Sequence, residues 1–149
     1  ILPEDMTIGL HLHENLNASL GLIQYFEMFD ERGFIYDGSL LGMGRIPGNI
    51  PIELLMTATS CKNGLYKPVE LFKTIQDVIK PIKIKREWGY NPIYMMSAVY
   101  NIHRSYPEYF YDKHKLNYEM IGNILESMKD DSNRYDFSVK VADEYIEAI

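Results

Sequence analysis

Met6-Thr7-Ile8-Gly9-Leu10-His11-Leu12-His13 alternates without a break, with Met6, Ile8, Leu10 and Leu12 at one parity and Thr7, Gly9, His11 and His13 at the other. Side chains of a strand alternate between faces, so the spacing predicts a strand with one apolar face and one that ends in two histidines. Glu14-Asn15-Leu16-Asn17 punctuates it. From Ala18 to Arg32, Leu20, Ile23 and Phe26, together with Leu22, Met28 and Phe29, recur at helical spacings, and Gly33 supplies a stop. Phe34 to Leu40 is rich in aromatic and branched residues and reads as a second strand. It runs into the glycine-rich turn Gly42-Met43-Gly44-Arg45-Ile46-Pro47-Gly48-Asn49, after which Pro51 stands where a first helical residue belongs. Strand, helix, strand, helix at this spacing signals parallel βαβ units, whose common closed form is the eight-stranded barrel.

After Lys62-Asn63-Gly64 no further strand pattern is present, and the rest reads as helices. Val69, Phe72, Ile75, Val78 and Ile79 make one that ends at Pro81; Asn91-Pro92 is a cap and first-turn proline for another through about His103; Asn117 opens a third to Met128; Ser138 to Ile149 forms the last. The expected fold is therefore α/β: the C-terminal part of a (β/α)8 barrel, two βα units over residues 1–63, followed by an all-helical domain over 64–149. The chain does not begin with methionine and its first element lies within a few residues of the terminus, so it reads as cut from a longer protein.

Composition narrows the class. With 149 residues and 46% hydrophobic content the chain suffices for one good core. No apolar run nears the roughly 20 residues that span a bilayer, and the opening residues lack a signal-peptide pattern, so the expected setting is cytoplasmic with no membrane partner. A lone cysteine, Cys61, excludes an internal disulfide and reads as a small core residue. A net charge of −6 and one short basic stretch from Lys80 to Arg86 argue against nucleic acid. Twelve tyrosines are present, ten of them after residue 60; Tyr106, Tyr109, Phe110 and Tyr111 form an aromatic cluster expected in a core or interface. His103 and His114 have no convergent partner and read as solvated.

His11-Leu12-His13 is the sharpest chemical feature, because residues two apart on a strand can bring both imidazoles to one ion. A surface or barrel-filling pair is the alternative. Position favours the metal, since barrel active sites lie at strand C-terminal ends. The loop after the second strand, Asp37-Gly38-Ser39-Leu40-Leu41-Gly42-Met43-Gly44, would share that barrel face, with Asp37 a candidate cap for its own turn.

The pattern His11-x-His13-x-Asn15, then Asp37-Gly-Ser-Leu-Leu-Gly-Met-Gly44, then Gly48-Asn49 and Glu53, resembles the metal-binding half of the pyruvate-carboxyltransferase-like barrel superfamily. That group includes 4-hydroxy-2-oxovalerate aldolase, hydroxymethylglutaryl-CoA lyase and isopropylmalate synthase. Leu41 to Gly44 and the stretch from Trp88-Gly89-Tyr90-Asn91 resemble the aldolase branch in particular. The resemblance implies an aldol or retro-aldol reaction on a 2-oxo acid, with a divalent ion, manganese or magnesium and alternatively zinc, stabilising a pyruvate enolate. It implies His11 and His13 as metal ligands, Asn49 as a further ligand or outer-shell group, Asn15 as an orienting residue and Tyr90 as the catalytic phenol. The family's remaining aspartate ligand and its catalytic arginine have no counterpart in the chain, so negligible turnover is expected of residues 1–149 alone. Arg45-Ile46-Pro47 departs from the small residues usual in the aldolases, which leaves substrate size open. Two other readings stand beside this one. The helices from Val69 onward could dock an acylating aldehyde dehydrogenase or a second copy, or the parent could be an acyl-CoA-dependent synthase.

Overall fold

A computed structural model describes residues 3, 5–29, 31–59 and 67–149. Cys61 and the boundary near Gly64 lie outside the described residues. The chain divides into two compact units, Ile1–Tyr90 and Asn91–Ile149. Strands give way to helices before that division, so the helices from Pro68 to Lys85 belong to the first unit. Among the described residues no helix is long and apolar enough to cross a membrane.

The first unit is α/β. Strand β1 (Ile8–His11) pairs in parallel with β2 (Phe34–Asp37), with Ile8 opposite Phe34 and His11 opposite Asp37. A parallel pair needs a crossover, and helix α1 (Ser19–Phe29) provides it. Leu10, Leu12 and Tyr36 pack with Leu20 and Ile23 of α1 and with Ile50 and Leu55, the latter on helix α2 (Ile52–Ala58), into one apolar cluster. Its centre is dry: Ile23, Ile50 and Leu55 are at most 2% exposed. Leu22, Tyr25, Met28 and Phe29 on the other side of α1 remain exposed.

Three expected boundaries are corrected. Strand β2 stops at Asp37, not Leu40, because the chain turns at Gly38-Ser39 and Leu40–Gly42 closes a tight 3-10 turn. The helix of residues 69–79 does not end at Pro81. It begins with the 3-10 turn Pro68–Leu71, continues through α3 (Phe72–Thr74), widens into a π turn at Ile75–Ile79 and resumes as α4 (Lys80–Lys85). After the π turn the proline falls in the first turn of a new α-segment, where its missing N–H costs little. In the second unit, helix α5 (Pro92–Val99) stops short of His103 as Asn101 takes a left-handed φ of 59°. A helix with no sequence counterpart then follows, α6 (Ser105–Glu108), which runs on as a π turn, Tyr109–Lys113.

The second unit also contains α7 (Tyr118–Met128) and α8 (Val139–Glu147). The cap readings hold here. Asn91, Asn117 and Ser138 accept hydrogen bonds from the backbone N–H groups of Ile93, Met120 and Val141. Tyr106 and Phe110 are fully buried and so serve this unit's own core. His114, expected in solvent, is half-buried against Tyr109 at a ring separation of 4.6 Å, while His103 is exposed.

Asp131 ties two elements of this unit. Its carboxylate accepts from the Asn133 backbone N–H at 2.7 Å and from the Tyr145 hydroxyl at 2.8 Å. These bonds, the backbone one first, hold its carboxyl below the usual aspartate range. Burial, and then the same hydrogen bond, push the Tyr145 phenol up to about 12. For a depressed carboxyl the stabilisation is complete above the unfolded aspartate pKa of about 3.9 and disappears as pH falls through the lower folded value. Asp131→Ala should therefore weaken this unit by about 1 kcal/mol at neutral pH. In urea titrations followed by amide exchange at Ala142, the gap between variant and wild type should close as the pH is lowered below 4.

Candidate functional site

His11 closes β1 and His13 lies two residues on, so both imidazoles project from the face opposite the apolar cluster. That face is open: Gly9, His11, Ile35 and Asp37 are all exposed. The two rings stand 5.1 Å apart, nearly perpendicular. Each has its Nδ1 engaged. His11 Nδ1 lies 3.4 Å from Asp37 Oδ2, directly across the register, and His13 Nδ1 lies 3.3 Å from the Gly48 carbonyl oxygen. Both partners only accept, so in the neutral imidazoles Nδ1 is the position for the hydrogen and Nε2 the one left for a ligand. That is the arrangement by which outer partners prepare an imidazole for a metal. Asp37, expected as a turn cap, is instead the partner of His11.

The loop that meets His13 is held by close backbone approach. Gly42 and Gly48 have φ of +66° and +98°, and a Cβ on Gly42 would lie 2.5 Å from the Asn49 carbonyl oxygen, one on Gly48 2.5 Å from that of Gly42. Only glycine meets both demands. The approach lets Asn49 N–H donate to Gly42 O and Glu14 N–H to Gly48 O, and it places Asn49 beside His13 in an antiparallel bridge. Leu41, with a left-handed φ of 51°, is pinned from two sides: its N–H donates to both carboxylate oxygens of Glu53, and its carbonyl accepts from the Trp88 indole at 2.8 Å. Asn49 Nδ2 donates to the Met43 carbonyl, and Asn49 Oδ1 is buried with no hydrogen-bond partner among the described residues. A buried amide oxygen without a donor is a vacant acceptor.

Beside this loop is a cleft of about 330 Å³ whose lining includes Glu14, Leu41, Asn49, Lys83 and Tyr90. Asn49 and Tyr90 are thus brought to one cavity, Tyr90 at 57% exposure. Neither histidine lines it. Among the described residues no three His, Cys, Asp or Glu side chains converge as a complete metal cage. The pair His11 and His13, with Asn49 adjacent to His13, fits part of a divalent-ion site. Two residues of the cleft escaped sequence reasoning. Glu14 reads as turn punctuation, although its parity, opposite to His13, was the available signal. Lys83 is hidden in a basic run that looks solvated.

Against known proteins, the chain is 33% identical over 85 residues to 4-hydroxy-2-oxovalerate aldolase 2 of Methylibium petroleiphilum, covering 55% of this chain and 23% of that protein. It is 29% identical over 104 residues to the 4-hydroxy-2-oxovalerate aldolase of Marinomonas sp., covering 62% and 30%. It is 36% identical over 61 residues to an oxaloacetate decarboxylase of Mycobacterium tuberculosis, covering 41% and 18%. The chain spans less than a third of the length of each of these relatives. No family model and no solved structure matches. These similarities support the aldolase and lyase superfamily at a coarse level.

The glycine argument is directly testable. Gly42→Ala and Gly48→Ala should each cost roughly 2 kcal/mol or more, through left-handed strain and the backbone clash. Gly21→Ala, in open space on α1, should be neutral or stabilising by up to about 1 kcal/mol. Urea unfolding followed by fluorescence of Trp88, the single tryptophan, reads all three; equal midpoints for the three variants would refute the close-approach account.

Proposed function

We propose that the chain carries part of the divalent-metal site of a lyase that makes or breaks a carbon–carbon bond in a 2-oxo acid, as a 4-hydroxy-2-oxovalerate aldolase does. The observation that carries this reading is the paired preparation of His11 and His13: two imidazoles on one strand-end face, each with Nδ1 held by an acceptor and Nε2 free. The partial relatives support it, since both substrates in their names, 4-hydroxy-2-oxovalerate and oxaloacetate, are 2-oxo acids.

In this reading His11 and His13 hold the ion, manganese or magnesium and alternatively zinc, with Asn49 contributing its vacant amide oxygen as ligand or through a water. A divalent ion there supplies Lewis-acid stabilisation of negative charge developing on a 2-oxo oxygen. Asp37 fixes the tautomer and tilt of His11. Tyr90 sits at the cleft with its phenol free to donate a hydrogen bond to a substrate hydroxyl or alkoxide. Two imidazoles and an amide do not make a full ligand set, so metal binding is the proper readout for residues 1–149, with negligible turnover expected.

Calorimetric titration with manganese and zinc checks the reading. His11→Ala and His13→Ala should each weaken binding by well over tenfold, and Asp37→Ala by about tenfold, the usual effect of removing an outer partner. Wild-type affinity in both histidine variants would sink the proposal.

A further inference from the structure

In the second unit, helix α8 is fastened more by polar bonds than by burial. Ala142 is its one fully buried residue, and Val139 at its start is 47% exposed. Three ties hold it. The Tyr145 hydroxyl donates to Asp131 Oδ2 at 2.8 Å, the Tyr109 hydroxyl donates to Asp143 Oδ1 at 2.8 Å, and the backbone N–H of Ser138, its cap, donates to the Tyr106 hydroxyl at 3.4 Å. A helix with so little apolar burial belongs to the low-stability end of a fold, where segments open locally.

Ionisable groups converge around the Tyr109 tie. His114 caps the π turn Tyr109–Lys113 and lays its ring against Tyr109. Its Nε2 is buried with no hydrogen-bond partner among the described residues, and it lies 3.9 Å from Asp143 Oδ1, too far for a hydrogen bond. Lys113 Nζ stands over the same tyrosine ring and donates to its hydroxyl at 3.1 Å. Elsewhere on α8, Lys140 pairs with Glu144, and Glu147 is exposed, as are Asp112 and Lys115 beside His114. Histidine is the side chain whose charge changes between pH 8 and pH 5. A neutral ring offers the carboxylate only a weak dipole, whereas an imidazolium offers a full charge and must carry hydrogen on Nε2.

We propose that α8 is a strap that closes in acid: charging His114 draws Nε2–H and Asp143 Oδ1 together and adds an ionic tie beside the Tyr109 hydrogen bond. Water screens the pair, since its side chains are 30% and 46% exposed, and Lys113 adds a competing positive charge from an exposed side chain. The response is therefore a few-fold change in opening, confined to this unit and independent of the histidine pair on β1.

Amide hydrogen exchange at Ala142 and Ile146 in the full chain, corrected for the intrinsic rate at each pH, reads the opening of α8. Protection should be about three- to fivefold higher at pH 5.5 than at pH 7.5, the range of one partly exposed charge pair. His114→Gln and Asp143→Asn should each bring that ratio to one. The asparagine keeps an acceptor for the Tyr109 hydroxyl, so its effect reports the charge and not the neutral tie. His103→Gln controls for the unit's other histidine and should leave the ratio unchanged. If His114→Gln disturbs the packing on Tyr109, His114→Phe, which keeps a ring there, takes its place. A wild-type ratio of one, a ratio that survives in Asp143→Asn, or one abolished by His103→Gln would overturn the proposal.

Discussion

The Gly48 carbonyl is the point on which the first unit's chemistry turns. It accepts the Glu14 backbone N–H at 3.0 Å and faces His13 Nδ1 at 3.3 Å, which uses both of its lone pairs. It can do so only because the chain crosses itself there, with Gly48 and Gly42 so close that a Cβ on either would meet backbone oxygen at 2.5 Å. Remove that crossing and three things separate at once: the tautomer of His13, the bridge that brings Asn49 beside it, and the wall of the cleft. The constraint is steric, and its consequences are electrostatic.

From that point the strand end divides its work by parity. His11 and His13 project to the open face, and Glu14, one residue further, is buried on the other side at the cleft. A one-residue slip of the strand would exchange these environments and put an imidazole among leucines. The register is held from the apolar side, where Leu10, Leu12 and Tyr36 pack on Ile23 and Leu55, and by the pairing of His11 with Asp37 across the two strands.

How much of this was legible in the sequence depends on whether the deciding information is local. Alternation from Ile8 to His13, the caps at Asn91, Asn117 and Ser138, and the glycine turn are local patterns that the structure follows, whereas Met6, expected on the apolar face, lies ahead of the strand and is exposed. Pro81 misled because a π turn five residues long shifted the hydrogen-bond phase ahead of it, and nothing in Ile75-Gln76-Asp77-Val78-Ile79 announces that shift. The helix from Ser105 was hidden by Pro107, which falls within its first turn and reads as a break. Asp37 as partner of His11 depends on pairing across 26 positions of chain, and Lys83 as a cleft residue on a cavity shared with Glu14, 69 positions away, which periodicity cannot see.

Two parallel strands alone are not a stable sheet. The first unit's stability therefore comes from the helix-covered side, from Ile23, Ile50 and Leu55, and from the pinned loop with Glu53 and Trp88 on Leu41. The histidine face contributes little to that ledger: His11 and Asp37 have side chains 55% and 68% exposed, and an exposed pair of this kind is worth at most about 1 kcal/mol. The scaffold thus displays the histidine pair without depending on it. That separation makes the metal reading accessible to experiment, because removing an imidazole there should leave intact the scaffold that displays it.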